Sequence, residues 1–285
     1  MGALAARLVQ RLAHFPLLRA VARQVLLSSS VVTGKVLQLG NGRGEFVVPI
    51  PEAIEDVPPP WLWEGYADDP SEYLDTGRND VAVMTAILAK YGVTVPRVVL
   101  DLGCAAGRMI RHFPAGPDSE LWGADINAHH IEWCQQHLPA INFVVVSSAP
   151  HLPFADGTFD FVYCGSVFTH ITDLADAWLL ELRRVLKPGG TAYITLHDLE
   201  SYEALFTTYA DDPLFADFMH ETLAFEARYK LRHRKVAKFS FGADPLSQIF
   251  YDKDFIAAKW GRWMDVLAYE PQVHDHQSAL LLRKG

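Results

Sequence analysis

The stretch VVLDLGCAAGRMIRHF, residues 98–113, is an apolar run that closes on Asp101 and then breaks into Gly103, Cys104, two alanines and Gly107. A short apolar run bounded by turn residues reads as a buried strand, here Arg97 to Leu102. A carboxylate followed by glycines where such a strand ends marks a place where backbone approaches a ligand, since glycine permits both the close approach and the turn. Gly103 and Gly107 are spaced G-x-x-x-G, which is not the G-x-G-x-x-G of a dinucleotide site.

Outward from this loop the pattern alternates. Val81 to Tyr91 reads as a helix, Gly107 to Phe113 as a helix start, Leu121 to Ala124 as a second strand and Asn127 to His137 as a helix capped by Asn127. Strands Asn142 to Val146 and Asp160 to Cys164 follow, then helix Asp173 to Leu186, the turn KPGG and strand Thr191 to Leu196. WMDVLAYEP and QSALLLRKG, joined by QVHDH, read as two final strands. Apolar strands alternating with helices imply a parallel sheet covered on both faces, whose ligands bind at the carboxyl ends of the strands.

The chain has 285 residues, is 50% hydrophobic and carries a formal charge of -9. That length supports a large core with an accessory segment, and the acidic balance opposes a nucleic-acid-binding role. Three cysteines, Cys104, Cys134 and Cys164, with no CxxC spacing, fit neither a disulfide framework nor a structural zinc site. No run is long and apolar enough to span a membrane and no secretory signal is visible, so a soluble protein of the reducing cytoplasm is expected.

Residues 1–75 read as an N-terminal extension and 76–285 as the main domain, with a substrate cap at about 199–250. The extension opens with MGALAARLVQRLAHFPLLRAVARQVLL, an amphipathic helix with Arg7, Arg11, Arg19 and Arg23 on its polar positions. Such a helix packs on the body, lids a site or makes peripheral contact with an anionic membrane. Short strands around a glycine-rich turn and a proline-stiffened connector, EDVPPPWLWEGYADDP, follow it. In the cap, RYKLRHRKVAK at 228–238 carries six Lys or Arg and no acid. It is a solvated helix face or a surface for a carboxylate, a phosphate or an acidic partner.

VVLDLGCAAGR resembles the first motif, D/E-x-G-x-G-x-G, of class I S-adenosylmethionine-dependent methyltransferases, with Ala105 in place of the second glycine. The resemblance continues through Asp125, LPFADGTFDFVYCGSVFTHI at 152–171 and ELRRVLKPGG at 181–190. It implies an α/β, Rossmann-like fold with a seven-stranded, mostly parallel sheet whose last strand is antiparallel, and S-adenosylmethionine as cofactor. It also implies that Asp101 with Gly103, Cys104, Ala105 and Gly107 meets the amino-acid end, Asp125 the ribose and Ile126 the adenine. Ser148 and Ala149 follow the third strand where the family reads the adenine amino group, and Cys164 and Gly165 end the fourth strand beside the methionine part. Tyr73 and Arg78 are positioned either to fold over the cofactor carboxylate or to serve as surface.

Methyl transfer is an in-line displacement that needs a general base only for a protonated acceptor. His170, His197, His274 and His276 are the candidates at the ligand edge, with Asp198 and Asp275 to orient them or take part directly. The same set admits a divalent metal, although no ligand spacing fixes one and none is assigned. The expected reaction is methylation of a small-molecule acceptor, a sugar or secondary metabolite, at oxygen, with nitrogen and carbon as the alternative atoms. Methylation of protein or RNA, and cofactor binding without catalysis, stay open alternatives.

Overall fold

The computed structural model describes residues 57–64, 66–94, 96–171, 173–198, 200–201, 236–239 and 248–285. The N-terminal amphipathic helix, the glycine-rich strands after it, residues 228–235 of the basic run and most of the cap lie outside the described residues. The first described helix, α1, runs Pro70–Lys90. It is followed by β1 (Val98–Leu102), β2 (Glu120–Asp125), α2 (Ala128–His137), β3 (Asn142–Val145), β4 (Phe159–Cys164), α3 (Ala175–Val185) and β5 (Leu186–Leu196). Strands β6 (Val236–Phe239) and β7 (Gln248–Tyr251) pair separately, then come α4 (Lys253–Trp260), β8 (Asp265–His274) and β9 (Gln277–Arg283).

Seven strands form one sheet in the order β3-β2-β1-β4-β5-β9-β8. Strands β1 to β5 pair parallel, and β9 enters antiparallel between β5 and β8. The alternation within each strand explains the layers. Leu100, Leu102, Val162, Cys164, Ile194, Leu280 and Leu282 face a core completed by Trp178, Leu179 and Leu182 of α3 and Trp260 of α4. Val99, Phe161, Tyr163, Tyr193 and Leu281 face the other core, against Val81 and Met84 of α1 and Ile131 and Cys134 of α2. Both faces of the sheet are therefore buried, which is what near-continuous apolar strands require.

Two local expectations are corrected. Helix α1 begins eleven residues before Val81, because Asp69 caps it: its carboxylate accepts the Glu72 N–H at 3.0 Å, with Pro70 as first helical residue. The boundary placed near residue 75 therefore falls inside this helix. Gly107 to Phe113 does not start an α-helix; only a 3-10 turn, Ile110–His112, forms. Gly107 sits at φ +73, and Phe113 is held extended ahead of Pro114, so no second helical turn can follow.

Strand β5 also reaches back through the KPGG turn, with Gly189 at φ +77.

Candidate functional site

The carboxyl ends of β1 and β4 and the loop after β1 line an open cleft. Its floor is Asp101, Gly103, Cys104 and Ala105, its flank Arg108, Met109 and Gly165, and its roof Leu62, Trp63, Tyr66 and Tyr73. The loop keeps its shape through left-handed residues: Gly103 at φ +80, Ala105 at φ +46 and Gly107 at φ +73. Ala105 thus carries the strain that a glycine would avoid. Its N–H donates to Asp125 Oδ2 at 2.9 Å, which ties the loop to the end of β2. A Cβ on Gly107 would meet Leu138 Cδ1 at 2.7 Å, so that glycine serves the packing of the loop on α2 rather than the cleft.

Gly103 is the most constrained point. A Cβ there would lie 2.4 Å from Val167 Cγ2, and the backbone would be strained besides. Gly103→Ala is expected to destabilise the protein by about 1–3 kcal/mol, read as a lowered melting temperature. Adding Val167→Ala should recover the steric share and leave the backbone share. A melting temperature unchanged in the single variant would contradict this reading of the loop.

Charge is arranged across the cleft. Asp101 is 3% exposed and accepts the Tyr163 hydroxyl at 2.9 Å. Burial pushes its carboxyl up to about 7, against the pull of Tyr163 and Arg108 and with the help of the Asp125 charge. Arg108 is also buried, with Nη2 2.6 Å from Asp80 Oδ2 and its guanidinium 4.1 Å from the centre of the Tyr66 ring. Its Nη1 has no partner among the described residues. The Cys104 thiol is pushed well up by burial and is an inert filler.

Asp125 is fixed by a second backbone donor, Asn127 N–H to Oδ1 at 2.8 Å. His130 stands behind it, Nδ1 3.6 Å from Asp125 and Nε2 3.1 Å from Glu64, although neither pair has hydrogen-bond geometry. Burial opposes its charge, yet the two carboxylates bring it up to about 9. Beyond Asp125, Ile126 and Val145 are 61% and 47% exposed, an apolar edge without cover. Ser148 and Ala149 are exposed in the loop after β3 and do not line the cleft.

The other expected residues divide. Tyr73 does line the cleft, buried under Trp63 with its hydroxyl 3.3 Å from the Ala106 carbonyl. Arg78 does not: it is exposed and paired with Asp75. Cys164 is buried in the core and only its neighbour Gly165 reaches the cleft. Asp198 is not available as a base, because Ser201, Tyr269 and Ser278 all donate to it. Despite its burial, those bonds hold its carboxyl below the usual range. His274 is likewise occupied, packed between Tyr193 and Asp80 on the α1 side of the sheet.

His197, His276 and His170 do come together. The His197 ring stacks on Phe250 and lies 5.1 Å from His276, and the His170 charge acts on it. Asp275, at φ +55, holds His276 Nδ1 at 2.8 Å. His197 is 1% exposed and both of its ring nitrogens lack a partner among the described residues. Burial, with the two neighbouring histidines, holds it well below the usual imidazole range, so it is neutral. Among the described residues no cluster of His, Cys, Asp or Glu has the geometry of a metal site.

The sheet order, with one antiparallel strand between the fifth and the last, and the glycine-rich turn at the end of β1, define the class I methyltransferase architecture. Residues 100–194, a third of the chain, match the family model described as a methyltransferase domain. An O-methyltransferase, rstn1, of Aspergillus nomiae is 31% identical over 148 residues, 48% of this chain and 63% of that protein. The ubiquinone/menaquinone biosynthesis C-methyltransferase UbiE of Cupriavidus pinatubonensis is 32% identical over 112 residues, 38% of this chain and 46% of its own length. The chain thus spans less than two thirds of either curated relative. The PH0226 protein of Pyrococcus horikoshii shares the fold, with a TM-score of 0.51 at 22% identity over 77% of this chain and 95% of that one.

Proposed function

We propose that the chain transfers a methyl group from S-adenosylmethionine to a small-molecule acceptor, at oxygen, with a sugar or secondary metabolite as the acceptor class. The observation that carries the reading is the pair of opposite, buried charges in one cleft: Asp101, and Arg108 with an N–H that has no partner among the described residues. They suit the ammonium and carboxylate of the cofactor's amino-acid end. Asp125, anchored by Ala105 and Asn127, keeps lone pairs for two ribose hydroxyls, and the apolar edge of Ile126 and Val145 suits an adenine face. When bound, the cofactor supplies an electrophilic methyl on a sulfonium.

The residues of this chain then have three tasks. The loop from Gly103 to Ala105, roofed by Trp63 and Tyr66, excludes water from the amino-acid end and fixes its line of approach. Gly165, directly after β4, lines the cleft beside it. His197, neutral and without a partner among the described residues, accepts the proton of an acceptor hydroxyl, with the His276 ring 5.1 Å from its own. The O-methyltransferase among the relatives agrees with an oxygen acceptor. Screening small hydroxylated compounds for a mass gain of one methylene tests the activity, and turnover only on protein or RNA would overturn the acceptor class.

Cofactor affinity should depend on pH through Asp101. Below about 7 the free protein carries it protonated, whereas a bound ammonium favours the carboxylate. Binding then releases a proton, so affinity is highest above that value and falls by about tenfold per pH unit below it. Calorimetry of S-adenosylhomocysteine across that range, in buffers of different ionisation enthalpy, checks the proton release; a flat profile would contradict the assignment of Asp101.

A further inference from the structure

Three hydrogen-bonded contacts join the back of the sheet to the cleft. Tyr193 Oη on β5 is 2.7 Å from His274 Nε2, His274 Nδ1 is 2.9 Å from Asp80 Oδ1, and Asp80 Oδ2 is 2.6 Å from Arg108 Nη2. A carboxylate accepts only, so Nδ1 of His274 donates to Asp80, and in the neutral tautomer so fixed Nε2 accepts from Tyr193. Tyr193 and His274 therefore donate in turn toward Asp80, whose other oxygen accepts from the Arg108 guanidinium, and Nη1 of that guanidinium has no partner among the described residues. The whole run is largely dry: the side chains of Arg108, His274 and Asp80 are 8%, 9% and 28% exposed.

The helix is placed for this contact. A Cβ on Gly77 would sit 2.2 Å from the Arg108 carbonyl oxygen, so only a glycine lets α1 lie directly on the loop after β1. Asp80, three residues on, is then on the same face and beneath the guanidinium. Without His274, Asp80 would lose the partner that fixes its second oxygen and would turn within its rotamer wells, taking Nη2 of Arg108 with it. The lowered Asp80 carboxyl is consistent: burial opposes its charge, and His274 and Arg108 overcome that.

We propose that His274 and Tyr193 are positioning residues for the cofactor, holding Asp80 so that Arg108 presents Nη1 to the carboxylate of its amino-acid tail. His274 thus serves cofactor recognition rather than proton removal from the acceptor. The proposal rests on the cofactor reading above and adds to it a specificity: the chain distinguishes ligands by whether they carry that carboxylate.

The test compares S-adenosylhomocysteine with 5′-methylthioadenosine, which has the adenosine and thioether but no amino-acid tail. Both are titrated calorimetrically into the wild-type chain, His274→Ala, His274→Asn and Tyr193→Phe. His274→Ala should weaken S-adenosylhomocysteine by roughly tenfold and leave 5′-methylthioadenosine unchanged. His274→Asn, whose amide can donate to Asp80 from the Nδ1 position, should restore most of the loss. Tyr193→Phe, which keeps the ring and its packing, should give a smaller loss with the same selectivity. Equal weakening of both ligands, or no change in either, would overturn the proposal. If neither ligand binds the wild-type chain, it is the cofactor reading that fails.

Discussion

Replacing His197 with phenylalanine should lower turnover by roughly a hundredfold to ten-thousandfold while leaving the protein as stable as before, or more so. The two effects have one cause. An imidazole that is 1% exposed with neither nitrogen bonded among the described residues costs stability, by about 1–3 kcal/mol. A phenyl ring keeps the stacking on Phe250 and the contact with His276 and has no polar atom to desolvate. A side chain kept at a cost to folding is a candidate for function. Steady-state turnover at saturating cofactor, with a thermal melt of the same preparation, measures both. Normal turnover would remove His197 from the chemistry, and a large loss of stability would show that its nitrogens are bonded.

Asp125→Ala should weaken S-adenosylhomocysteine by about a hundredfold. Each charge-assisted hydrogen bond to a ribose hydroxyl contributes up to about 1.5–3 kcal/mol, less whatever water restores. The substitution also frees the Ala105 and Asn127 N–H groups and leaves His130 with only Glu64 to balance its charge. Part of the loss therefore comes from a loosened loop. Asp125→Asn keeps an acceptor for one backbone donor and should fall between the two. Calorimetry on all three separates the contributions, and an affinity unchanged in Asp125→Ala would contradict the ribose assignment.

The strand after which the cofactor site forms is legible because burial on both faces leaves an unbroken apolar run, and Asp101 and Gly103 break it at one place. The order of β9 and β8 is legible from the resemblance, because two terminal strands follow the crossover. Nothing in the sequence sets Arg108 above Arg78, and what separates them in the structure is rotational. Tyr73, Gly77, Val81 and Met84 mark the buried face of α1, and Arg78, one residue beyond Gly77, is turned about 100° from it. A helix read as starting at Val81 leaves out the turns that the Asp69 cap begins, and with them Tyr73, Gly77 and Asp80. The roof is not legible for a related reason: Trp63 and Tyr66 sit in a proline-rich stretch that has no periodicity, and only the fold shows what they cover.

The histidines show the same limit from the other side. Topology gives the level of a residue along the sheet, and all four stand near the expected rim. It does not give the face where alternation is interrupted. Between Glu270 and His274 the register of β8 on β9 shifts, and Gln272 and Asp275 take positive φ, so His274 turns to α1 while His276 turns to His197. Asp198 follows a regular strand end, yet three hydroxyls from residues 201, 269 and 278 close it off, which no local pattern announces.

The central claim is that the cleft lined by Asp101, Gly103 and Arg108, with Asp125 at the end of β2 tied to its loop through Ala105, binds the cofactor of methyl transfer. A calorimetric titration of S-adenosylhomocysteine into the wild-type chain near pH 8, where Asp101 is ionised, tests it most directly. One equivalent bound with micromolar affinity is the expected result; absence of saturable binding at millimolar ligand would contradict it.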